Sequence, residues 1–89
     1  MTAPTIITLD ALEVGKSGTV IRLTSLEANQ AEPGVDLPRR LMELGFVPGE
    51  SIRMLRRGLP GGDPLAVKVG NATFALRRFE AALILIEQE

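Results

Sequence analysis

The chain of 89 residues contains no cysteine, histidine, tryptophan or tyrosine, and its aromatic content is three phenylalanines. Each absence removes a class of chemistry. Without cysteine there are no disulfides, no thiolate nucleophile and no soft-metal site, a composition suited to a reducing cytoplasm. Without histidine, Ser17, Ser25 and Ser51 have no imidazole to activate them. Lys16 and Lys68 fall in turn or solvent-facing strand positions, where an ammonium group stays protonated and is no base. No catalysis is expected. A metal would have to rest on carboxylates alone, and Asp10 with Glu13 offers two hard ligands where calcium wants several converging from one loop. That pair reads as a solvated helical face, so no metal and no other cofactor is expected. Gly15-Lys16-Ser17 imitates the end of a phosphate-binding loop, but Asp10 stands where that loop needs its first glycine, and strand-like residues follow it instead of a helix.

Charge of one sign is also missing. Ten basic residues face eleven acidic ones, a net charge of −1, so no overall field draws the chain toward nucleic acid or anionic lipid. Seven of the ten basic residues are arginines in three groups: Arg39-Arg40, Arg53 with Arg56-Arg57, and Arg77-Arg78. Ion pairing with Glu43, Glu50, Asp63 and Glu80 accounts for them better than phosphate binding does. The only aromatic residues are Phe46, Phe74 and Phe79, and at least the first two are placed for packing, so base-stacking platforms are missing. Nucleic acid is therefore not an expected partner. The longest apolar run, Ala81 to Ile86, falls far short of the roughly 20 residues a membrane-spanning helix needs. Met1 to Thr5 lacks the basic and apolar regions of a signal peptide. The expectation is a cytoplasmic protein without membrane insertion, folded as one domain over residues 1–89.

What is present is dense local punctuation. From Leu37 to Glu50, Leu-Pro-Arg-Arg-Leu-Met-Glu-Leu-Gly-Phe-Val-Pro-Gly-Glu predicts a two-turn helix with Asp36 as its cap, Pro38 in its first turn and Gly45 as its left-handed exit. Phe46 packs back on Leu41, and Pro48-Gly49 suits a type II turn. Thr5 to Leu9 reads as a strand, followed by a short helical turn ending at Gly15. A second strand follows from Gly18, with Ile21 and Leu23 on one face and Val20 and Arg22 on the other. Thr24 to Val35 turns polar and reads as a surface loop. Ser51 to Arg57 alternates, placing Ile52 and Met54 opposite Arg53, Leu55 and Arg57. Gly58 to Pro64 is a breaker-rich loop. Leu65, Val67 and Val69 form one face of a strand that turns at Gly70-Asn71 and returns through Ala72, Phe74 and Leu76. Arg77 to Ala82 is one helical turn, and Leu83 to Ile86 is a strand apolar on both faces. The class is mainly β, with five to six strands and one or two short helices. At this size a flat sheet would leave one face bare, so the sheet is expected to curl into a small barrel that hides its edges.

The string Arg40-Leu41-Met42-Glu43-Leu44-Gly45-Phe46-Val47-Pro48-Gly49, with Ile52, Leu55-Arg56-Arg57, Gly62-Asp63-Pro64 and Ala75-Leu76-Arg77-Arg78, resembles the FeoA family. Leu9, Leu12, Gly15 and Gly18, and then Ala81, Ile84 and Ile86, extend the likeness over most of the chain. It departs from the family at Thr24 to Val35, which is longer and more polar than the family's short connection. The resemblance implies an SH3-like barrel and a non-catalytic accessory role in ferrous iron transport. The implied partner is the cytoplasmic nucleotide-binding region of the FeoB membrane transporter. The same barrel is similar to the C-terminal domain of DtxR-type metal-dependent repressors, so the alternative is a free-standing regulatory module. SH3-like barrels offer shallow apolar grooves to extended or proline-containing segments. The apolar residues that strand alternation does not use place such a groove at Met42, Phe46, Val47 and Pro48 and at the loop residues Leu59, Pro60 and Asp63.

Overall fold

A computed structural model describes residues 4–24, 36–58 and 61–89. The stretch read as a surface loop therefore lies, apart from Thr24, outside the described residues, as do Leu59 and Pro60. In chain order the elements are β1 Thr5–Thr8, a 3-10 turn Leu9–Ala11, β2 Ser17–Leu23, α1 Leu37–Leu44, β3 Ser51–Arg57, β4 Leu65–Val69, β5 Ala72–Leu76, α2 Arg78–Ala81 and β6 Ile84–Gln88. The six strands form one sheet in the order β1-β6-β2-β3-β4-β5, antiparallel throughout. The mainly β reading, the two short helices and the hairpin at Gly70-Asn71 all match this architecture.

Leu9, Leu12, Val20, Leu41, Phe46, Ile52, Met54, Leu65, Val67, Leu76, Ile84 and Ile86 belong to one buried cluster drawn from most of the elements. Strands that all send residues into a single cluster must bend around it, so the sheet is rolled. It does not close, however. β1 and β5 are its two edges and pair with no other described strand, which corrects the expectation of a barrel without edges. Phe46 from the segment after α1 and Phe74 from β5 meet across the interior with ring centroids 5.7 Å apart and planes tilted by 52°, a favourable aromatic geometry.

Two bulges reset which residues face inward. In β2 the register shifts between Val20 and Arg22, so Val20 opposite Ile86 and Leu23 opposite Ile84 both turn toward the core. Strict alternation had placed Val20 with Arg22, away from Leu23, and the extra residue Ile21 is the reason it fails. In β3 the shift lies between Met54 and Arg56, making Leu55 the extra residue. Ile52 and Met54 are buried as expected, but Arg57 now sits opposite the buried Leu65. Directly opposed residues share a face. Arg57 therefore belongs to the inner side, not with Arg53 on the outer one.

Candidate functional site

The corner after α1 is built from local rules that agree. Asp36 accepts a hydrogen bond from the Arg39 N–H at 3.1 Å, satisfying one amide that the helix start leaves unpaired. At the other end Gly45 takes φ +119°, and its N–H donates to the Met42 carbonyl while the Phe46 N–H donates to Leu41, the paired bonds of a glycine-terminated helix. Val47 to Glu50 then close a turn, with the Glu50 N–H donating to Val47 and Gly49 at φ +93° in the position a type II turn reserves for glycine. The corner is latched to the sheet by backbone alone: the Val20 N–H donates to Glu50 at 2.9 Å, and the Val20 carbonyl accepts from Gly49 at 2.8 Å.

Leu37, Leu41 and Phe46 point inward from this corner and are buried. Met42 and Leu44 are each 46% exposed, Val47 is half-buried and Pro48 is exposed. By helical geometry Met42 and Leu44 flank the buried Leu41 on either side. Of the corner residues named from sequence, Met42 and Pro48 are exposed and Val47 is half-buried, and Leu44 is a further exposed apolar residue, which the sequence reading missed. A leucine three residues beyond Leu41 reads as core, and no local signal distinguishes it. Phe46, placed in the groove from sequence, is 0% exposed and offers no surface to a partner.

Asp63, from the loop half of the predicted groove, lies elsewhere. The corner precedes Ser51 and Asp63 follows Arg57, so they occupy opposite ends of β3, a strand of seven residues and roughly 20 Å. At that far end Asp63 accepts from the Arg78 N–H at 2.9 Å and stands 4.0 Å from the Arg77 guanidinium, while Arg78 Nη1 donates to the Gly61 carbonyl at 3.3 Å. Asp63 therefore ties the loop to the first turn of α2. Arg57 fastens the same end to the 3-10 turn that follows β1, donating from Nη2 to the carbonyls of Asp10 at 2.6 Å and Leu12 at 2.9 Å. Asp10, half of the carboxylate pair weighed from sequence, accepts the Thr8 hydroxyl instead. Leu59 and Pro60 lie outside the described residues.

A model of the FeoA domain matches residues 7–88. Among curated proteins no sequence matches the chain. Among solved structures, FeoA of Stenotrophomonas maltophilia, complexed with zinc and described as a prokaryotic SH3 domain protein, is 43% identical with a TM-score of 0.76, covering 93% of this chain and 95% of that one. The FeoA protein of Chlorobium tepidum is 33% identical with a TM-score of 0.73, covering 92% of this chain and 70% of that one. A manganese-dependent transcriptional repressor is 25% identical with a TM-score of 0.74, over 100% of this chain but only 45% of that one. The zinc belongs to the Stenotrophomonas protein. In this chain there is no histidine or cysteine, and among the described residues no group of three or more acidic side chains gathers as a metal would require. The rolled six-stranded sheet is the SH3-like fold of these relatives, and the chain belongs to the FeoA family of ferrous iron transport proteins.

Proposed function

We propose that this protein is a non-catalytic, cytoplasmic accessory of ferrous iron uptake that binds the cytoplasmic nucleotide-binding region of the FeoB transporter through the helix corner. The observation that carries the reading is the exposure of Met42, Leu44 and Pro48, with Val47 half-buried, on a corner where every backbone N–H from Gly45 to Glu50 donates a hydrogen bond. Rigid apolar groups of this kind suit an anchor for a partner segment. Membership of the family supplies the transport context. Among the described residues no helix is long and apolar enough to cross a membrane, which fits attachment to a transporter from one side. A serine hydroxyl such as Ser17 or Ser51 has no histidine to activate it anywhere in the sequence.

The match to the manganese-dependent repressor favours a second reading, a stand-alone regulatory SH3-like module related to the C-terminal domain of metal-dependent repressors. A pull-down with the transporter's soluble domain separates the two. Met42→Asp is expected to weaken capture about tenfold, the loss of a buried apolar anchor at an interface, with the melting temperature unchanged. Leu59→Asp, in the loop after β3, reports on the other end of that strand. Capture that both variants leave intact would remove these surfaces from the interface, and no capture of the transporter domain by the wild-type chain would overturn the first reading.

A further inference from the structure

The outward face of β3, β4 and β5 carries charge of one sign. Register sets Ser17, Arg53, Lys68 and Thr73 side by side in one row across the strands, and Arg56, Ala66 and Ala75 in the next. Arg53, Arg56 and Lys68 are exposed, and the ion pairs found among the described residues, Arg39 with Glu43 and Arg77 with Asp63, include none of them. Like charges directly opposed on neighbouring strands destabilise a sheet. A chain of net charge −1 thus holds Arg53 against Lys68 although the pairing works against its own stability.

The same face carries two local depressions. One depression of about 270 Å³ is lined by Ser17, Ser51, Arg53 and Lys68, with Glu89 on its wall. A second of about 210 Å³ is lined by Arg56, Pro64, Ala66 and Ala75 and by no carboxylate. Between Lys68 and Arg56 the small side chains of Ala66 and Ala75 leave a low floor, and β5 beside them is an open edge of the sheet.

We propose that this face docks an extended acidic segment of a partner protein, laid over Ala66 and Ala75 with carboxylates beside Arg56 and between Arg53 and Lys68. Charge complementarity selects the sign of the segment. Its extended form follows from spacing: on β4 and β5 the two rows are alternate strand positions, about 6.6 Å apart, which is also the repeat of same-side residues in an extended chain. The depressions and the alanine floor favour a polypeptide over a lipid surface, which binds protruding cations flanked by apolar wedges. The inference does not depend on which protein the helix corner binds.

The test is fluorescence anisotropy of a labelled peptide of alternating glutamate and serine against the full chain at low salt. Saturable binding is expected, weakened about tenfold by Lys68→Glu and by Arg53→Glu and left unchanged by Arg40→Glu on α1. Lys68→Glu is also expected to raise the melting temperature, because the new carboxylate faces Arg53, and Lys68→Gln gives a smaller loss of binding without a new charge. Absence of saturable binding would overturn the proposal. So would equal weakening by Arg40→Glu, or tighter binding to phosphatidylglycerol vesicles than to the peptide.

Discussion

Gly45 shows how much one residue's backbone can decide. At φ +119° it lies where a side chain is strained, although the nearest atom to an added Cβ, Val69 Cγ1, would be at an ordinary 3.9 Å. The penalty for substitution is therefore conformational and not a clash. Gly45→Val is expected to lower stability by about 1 kcal/mol or more, read as a fall in the urea midpoint with the slope unchanged. An unchanged midpoint would mean the helix does not leave through a left-handed residue. This residue, with Asp36 and Gly49, was legible in the sequence because its requirement is local. Leu44 was not, because whether a leucine beside a buried one is itself covered depends on what the rest of the chain brings against it.

At the scale of elements, the strands followed from alternation and the hairpin from its two-residue turn, but inward and outward assignments broke at Ile21 and Leu55. A bulge is set by pairing with a distant strand, here β6 for β2 and β4 for β3, so composition within the strand does not announce it. The bulge at Leu55 turns Arg57 from a surface cation into a clamp on the carbonyls of Asp10 and Leu12. Arg57→Met keeps the stem and removes those charge-assisted bonds, and is expected to cost about 2 kcal/mol in chemical denaturation. A loss no larger than that of Arg39→Met, whose partner Glu43 is exposed, would show that the clamp contributes nothing. Asp63 stands apart from the corner for a similar reason: the length of β3 lies between them, which composition alone does not show.

For the molecule as a whole, the β2 to β3 seam pairs only Ser17 to Thr19 with Ser51 to Arg53, and flanking backbone bonds extend it at both ends. Gly15 and Met54 are joined on one side, and Val20 with Gly49 and Glu50 on the other. Because one core cluster spans both sides of that seam, the two halves of the sheet are expected to unfold together. Far-UV circular dichroism and core methyl resonances should give coincident urea midpoints, and separated midpoints would reveal two units. Fluorescence cannot serve here, since the chain lacks tryptophan and tyrosine. The openness of the sheet was the global property least legible in sequence, because closure depends on how β1 and β5 meet and neither strand states this alone. The latch of Val20 onto Gly49 and Glu50 has a kinetic consequence for recognition. A corner already fixed in its bound shape loses little freedom on contact, so substitutions there should act by shortening the lifetime of a complex while leaving its rate of formation nearly constant.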